Sequence, residues 1–268
     1  MTVLNPIAES RTVRPFGAFN LTYLWIELKR KLRNRRTLVL TLVFPVVLYL
    51  LVGYPQRNVA LGDTPVAQGG VSVAAYIMIS MALYGAMMSA TTAGGSVAIE
   101  RTQGWSRQLR LTPVSAVANV ATKIIAGLVV GLIAVVATFA VGALTGVRLP
   151  LDDWLLSGLA VWLLGTLVFT ALGLMIGYLV PSENAMQFVS LAIVLLSFLG
   201  GLFIPVTQMP DVMRDIAVWT PVYGIGELGR APLTGDAFNV LALLNALAWL
   251  VIFAVGTALL FRRDTKRG

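Results

Sequence analysis

The sequence predicts an all-α integral membrane protein, and three observations carry that reading. Hydrophobic residues make up 57% of the 268, charged residues only 12%, and the mean hydropathy is +0.83. Soluble domains carry about 25% charged residues, so this chain cannot coat a water-facing surface. Second, a helix needs about 20 mostly apolar residues to cross a bilayer, and stretches of this kind recur over 38–54, 71–98, 124–146, 154–180, 185–204 and 240–261. Third, the 20 basic residues divide very unevenly between the two sides that six spans define. With the N-terminus inside, 16 fall in inner segments and only Arg57, Arg148, Arg214 and Arg230 fall outside. Cytoplasmic loops carry such an excess, so both termini are expected in the cytoplasm of a multi-pass plasma-membrane protein. The net charge of +8 is thus an orientation signal and not a nucleic-acid signature.

Taken in order, residues 1–15 read as a tail and 16–36 as an interfacial helix. Leu21, Leu24, Trp25, Leu28 and Leu32 recur at helical spacing as one apolar stripe, with Lys29, Arg30, Lys31 and Arg33 elsewhere around the helix. That combination favours lying in the headgroup plane. About 37 residues precede the first span and no small-residue cleavage site follows it, so it reads as a retained span and not a leader. Pro45 should kink it. Residues 37–268 form the six-span transmembrane domain.

The second span carries Met81, Tyr84 and Met88 at i, i+3 and i+7, a stripe that suits either helix packing or an adaptable substrate path. Gly127 and Gly131 in the third span, and Gly173 and Gly177 in the fourth, permit close helix approach. The fifth offers Gln187, Ser190 and Ser197, which can line a path or bond a neighbouring helix.

Two connecting segments stand out. The inner loop over 99–116 opens with Glu100 and Arg101, is punctuated by Gly104, and closes at Thr112-Pro113. Trp105, Leu109 and Leu111 stand among Arg107, Gln108 and Arg110, a mixture that suits a short surface helix or a basic loop on anionic lipid. The outer stretch over 200–236 is apolar but broken by Gly200, Gly201, Pro205, Met209-Pro210 and Thr220-Pro221. Pro210 with Asp211 looks like a fresh helix start. Irregular backbone at membrane depth survives only when buried in protein or beside water, so short re-entrant helices are expected there, with an ordinary external loop as the alternative.

Several function classes fall away. There is no Cys and no His, which excludes thiolate nucleophiles, imidazole bases and most zinc sites. No ionisable residue lies in the body of an expected span, and Lys123 sits at the inner edge of the third. An ion-coupled carrier or intramembrane protease would be expected to bury carboxylates there. The dipeptide Gly-Lys is absent, so the chain holds no phosphate-binding loop. No catalytic residue, metal ligand or cofactor is expected in this chain. Any uphill transport must draw its energy from a partner.

The segments "ERTQGWSRQLRLTPVS" and "GGLFIPVTQMP…TPVYG" together resemble the membrane subunit of type-2 ABC exporters, the class of daunorubicin-resistance-type drug permeases and of polysaccharide and teichoic-acid exporters. A second acidic residue that many members carry near 101–103 is absent here. The resemblance implies a coupling helix over 100–113 seated in a separate ATPase, with Glu100, Arg101, Gly104, Trp105, Arg107, Leu109, Thr112 and Pro113 at or around the contact. It implies that the stripe helix touches the same ATPase, and that two ATPase subunits join two permeases, identical or paralogous. ATP and magnesium would then belong to the partner. It further implies that Gly200, Gly201, Pro205, Met209, Pro210 and Pro221 shape an outer gate. The expected function is export of an amphipathic drug-like or lipid-like molecule. Alternatives are a lipid-linked polysaccharide or teichoic-acid-like polymer as cargo, or a membrane scaffold that transports nothing.

Overall fold

The structure is a computed structural model that describes residues 21–104, 115–180, 184–234 and 239–267. Helix α1 spans Leu21–Arg33, and a turn at Arg35–Leu38 leads into α2, Val39–Gln56. Then come α3 (Val73–Thr102), α4 (Ala116–Leu144), α5 (Leu151–Leu179) and α6 (Ala185–Leu199). Two shorter helices, α7 (Asp211–Ala217) and α8 (Pro221–Thr234), precede the last, α9 (Val240–Arg267). Among the described residues there is no strand, only an isolated bridge between Ala60 and Ser72.

Local chemistry sets several helix starts. Ser72, Ser115 and Asn239 accept the backbone N–H of the third residue onward at 3.3, 3.1 and 3.1 Å, satisfying an amide that the helix leaves open. Ser115 thereby starts α4 eight residues before the expected 124, which draws Lys123 inside the helix. The fifth expected span is shortened instead. Its helix ends at Leu199, and Gly201 turns the chain with φ +80, a conformation that costs glycine nothing. At 15 residues α6 is about 22 Å long, less than the hydrocarbon core of about 30 Å. Among the described residues five helices, α2, α3, α4, α5 and α9, are long and apolar enough to cross.

Pro45 is absorbed without a break in α2. A wide π turn lies on each side of its segment, at Val39–Val43 and Tyr49–Gly53, and takes up the missing hydrogen bond. The fully buried Tyr49 shares a 2.7 Å hydrogen bond with the Thr145 hydroxyl, joining α2 to the end of α4.

Helix α3 is the central post, buried along most of its length against α4, α5, α6 and α8. Its approach to α5 is backbone on backbone. A Cβ at Gly173 would stand 2.2 Å from the Thr91 carbonyl oxygen, and one at Gly94 would stand 2.5 Å from that of Thr170. The small-residue pairs therefore do what their spacing suggested. On α4, Gly131 and Gly127 admit the Thr166 and Thr170 hydroxyls of α5.

The outer stretch forms helices where its prolines predict: α7 follows Pro210 and α8 begins at Pro221.

Candidate functional site

At the end of α3 that leads into segment 105–114, charges from three helices meet. Tyr23, Glu27 and Arg30 recur at i, i+4 and i+7 along α1, which forms a polar face beside the apolar stripe. Glu100 lies in the last turn of α3 and Lys123 in the second turn of α4. The Lys123 ammonium, fully buried, donates to Glu27 at 2.7 Å and also to Glu100. Arg30 donates to Glu100 at 2.5 Å and bridges Glu27 at 2.8 Å. Glu27 and Glu100 are themselves almost wholly buried, while Arg30 is half-exposed. Tyr23 adds a neutral tie, its hydroxyl donating to Asn119 on α4 at 2.7 Å.

The packing of a +2/−2 cluster into low dielectric makes each member depend on the others. Burial pushes the Glu27 carboxyl up, but Lys123, by charge and by hydrogen bond, outweighs it and leaves the group below its ordinary value. Arg30 is held above its ordinary value: burial opposes this, but bonds to Glu100 and Glu27 prevail. Among the described residues Lys31 has no carboxylate bonded to it. Burial, and after it the Lys123 charge, lower its ammonium to about 8. Acylation needs the free amine, so labelling of Lys31 by an amine-specific reagent should rise with a midpoint near pH 8. Glu27→Gln should move that midpoint lower, because the Glu27 charge favours the Lys31 proton. Peptide mapping by mass spectrometry checks both; a Lys31 midpoint above 10 would remove it from the network.

A second tie secures the same end. Arg101 donates to the carbonyls of Gly177 and Tyr178 at 3.1 and 3.2 Å, and its guanidinium lies 5.4 Å from the Tyr178 ring centroid. It thus caps the end of α5, where a cation suits the open carbonyls. Gly104, with φ +71, terminates α3, and its N–H bonds the Arg101 carbonyl at 3.1 Å. Trp105, Arg107, Leu109, Thr112 and Pro113 lie outside the described residues.

On α1 the apolar stripe does not face the protein. Leu21, Trp25 and Leu32 are exposed, Leu24 and Leu28 are half-buried, and the residue that α1 buries is Glu27. The sequence signal for this was the Tyr23–Glu27–Arg30 periodicity, a carboxylate repeating in step with a tyrosine and an arginine. The expected span boundaries at 98 and 124 need correction: α3 runs past Glu100 and α4 begins before Lys123, and both charges are buried near the ends of these helices, where each supplies the other's partner.

Beside the cluster opens a cavity of about 450 Å³ between α1, α2, α3 and α6, walled by Arg30, Thr41, Met88, Ser96 and Ser190 among others. Met88 and Ser190 of the expected path line it, and Gln187 is exposed on the same helix. Met81, Tyr84 and Ser197 are buried elsewhere. Tyr84 packs against the rings of Phe44 and Phe203, at 5.8 and 5.6 Å, and Ser197 donates to the Ile193 carbonyl at 2.6 Å. Of the expected outer-gate residues, Gly200, Gly201, Met209 and Pro221 are buried. Gly200 lies against Val222, Pro205 is half-buried, and Pro210 is exposed.

Known proteins share this sequence pattern. A family profile described as ABC-2 type transporter matches residues 20–233. A Bacillus subtilis (strain 168) protein named "Putative transport permease YvfS" is 30% identical over 230 residues, 85% of this chain and 90% of that protein. Nodulation protein J of Rhizobium leguminosarum bv. viciae is 32% identical over 209 residues, 72% of this chain and 76% of that one.

Proposed function

The chain belongs to the ABC-2 type transporter family and is a transport permease subunit; from that premise we propose that it is the membrane half of an ATP-driven exporter of amphipathic, drug-like or lipid-like molecules. Two copies, or one copy and a paralogue, would pair with two separate ATPase subunits that bind ATP and magnesium. The charge bias supports a cytoplasmic position for the ion-cluster end, where segment 100–113 would meet the ATPase.

The observation that best supports coupling is the Glu27–Lys123–Glu100–Arg30 cluster. It joins α1 to the two helices that flank segment 105–114, and Arg101 joins α5 to them. A push on that segment would therefore move four helices together, as rigid-body transmission requires. The half-polar cavity beside the cluster supplies a place for cargo to enter. It brings hydroxyls, Met88 and the Arg30 guanidinium to one surface.

The test is co-purification. The chain alone should show no ATP hydrolysis, and should carry an ATPase with it from its native membrane. Deletion of 104–109, or Arg107→Glu, should abolish both that capture and transport while leaving the chain monodisperse. Unchanged capture in both variants would sink the coupling assignment.

A further inference from the structure

A second buried charge lies at the opposite end of α3, where coupling has no use for it. Arg230 on α8 is 4% exposed. It donates to the Ser80 hydroxyl on α3 at 3.2 Å, reaches Glu227 at 3.3 Å, and lies over the Tyr76 ring with 4.6 Å to the centroid. Ser80 and Glu100 are separated by about 30 Å of helix rise, so this charge and the ion cluster sit toward opposite ends of α3.

The pairing is loose for a permanent buried cation. Arginine carries five N–H donors and cannot shed its charge, yet its two acceptors among the described residues both stand beyond 3 Å. Charge-assisted bonds close to about 2.7–2.9 Å. Glu227, the counter-ion, is the more exposed partner: its side chain is 37% exposed against 5% for Arg230. Both residues line a cavity of about 720 Å³, whose lining also includes polar Tyr76, Gln208 and Asn239 and apolar Leu61, Val206 and Leu233. That size falls within the range of small-molecule pockets.

We propose that this cavity is an oxyanion-binding site that receives the phosphate or carboxylate head of an amphiphile. The Arg230 fork holds the head, the apolar wall holds the chain, and Glu227 neutralises Arg230 while the cavity is empty and swings aside when an anion arrives. The proposal rests on the permease reading and deepens it: the cargo it names is an anionic amphiphile, bound at the exit face.

The experiment is equilibrium binding of radiolabelled dodecyl phosphate to the full-length chain in a non-ionic detergent, without any ATPase. One saturable site per chain is expected. Glu227→Gln should tighten it by about tenfold, because the internal competitor loses its charge. Arg230→Lys should weaken it, because a point charge cannot grip an oxyanion bidentately, and Arg230→Gln should abolish it. Unlabelled inorganic phosphate should compete only at far higher concentration than dodecyl phosphate; equal competition would make this a site for free anions and overturn the amphiphile assignment. Dodecyltrimethylammonium should not compete, and if it did the head-group assignment would fall. If Arg230→Gln does not fold, Glu227→Gln decides alone: unchanged or weaker binding overturns the proposal. A chain that binds dodecyl phosphate but captures no ATPase would sink the coupled-exporter reading and leave this site standing. The reverse result would do the opposite.

Discussion

Lys123→Met is expected to abolish transport and to cost about 3–5 kcal/mol of stability, the usual penalty for breaking a buried ion pair from one side. The side chain has no exposed surface, and its ammonium is the centre of the cluster, bound to both Glu27 and Glu100. Without it, two buried carboxylates face each other with Arg30 alone between them. Thermal denaturation in detergent should register the loss directly. The informative companion is Lys123→Met with Arg30→Gln, Glu27→Gln and Glu100→Gln, which removes both sides of the charge balance. Replacing a whole buried network by neutral groups is often nearly neutral for stability, so much of the folding loss should return. Transport should not return, since the ionic tie between α1 and the helices flanking segment 105–114 is gone and only the neutral Tyr23–Asn119 bond is left. Recovery of transport together with stability would reduce the cluster to a packing device. The cluster also sets an acid limit. Glu27 is held below its ordinary value, so its contribution is fully present above the usual carboxylate range and is lost as pH falls through the lowered value.

Gly173→Val is expected to be as damaging by a different route. The added Cβ alone would stand 2.2 Å from the Thr91 carbonyl oxygen and 2.9 Å from the Thr91 carbonyl carbon and Cα. These are backbone atoms of a buried helix, and no rotamer change relieves them. The two helices must separate, and overpacking of this kind costs about 1–3 kcal/mol or more. Gly94→Val should behave alike, because Gly94 meets the Thr170 carbonyl oxygen and the Leu174 nitrogen from the other helix. Gly62→Ala is the control, since a Cβ there meets nothing within 4 Å. Monodispersity and melting temperature distinguish the three, and a Gly173→Val protein as stable as Gly62→Ala would refute the close approach.

Much of the fold could be read from the sequence because the bilayer leaves few choices. Long uncharged runs must become helices, and Pro210 with Asp211 reads as the helix start that α7 makes, while the break at Thr220-Pro221 is where α8 begins. The end of α6 was harder to read: Leu202, Phe203 and Ile204 are as apolar as the helix before them, and only the backbone shows that Gly201 has already turned the chain. The site was less legible for a related reason. Glu27 and Lys123 are 96 residues apart, and nothing in their neighbourhoods says that they meet. A charge at the edge of an apolar run looks like a solvated boundary until a partner of opposite sign arrives from another helix. Tyr84 and Ser197 illustrate the converse. Their types suit a substrate path, but the rings of Phe44 and Phe203 and the Ile193 carbonyl already occupy them.

Helix α1 turns two faces to two different environments. Its Glu27 face holds the protein, and its Leu21, Trp25 and Leu32 face is exposed, with exposed Lys29, Arg33 and Arg35 beside it, a combination suited to a bilayer surface. A basic side chain near an anionic leaflet is worth about 1 kcal/mol. If α1 adsorbs, adsorption and closure of the ion cluster become linked equilibria on one element, and such linkage is reciprocal. Anionic lipid that held α1 down would tighten the cluster by the same free energy with which the cluster held α1 to the lipid. The membrane would then act on this protein as an allosteric ligand as well as a solvent.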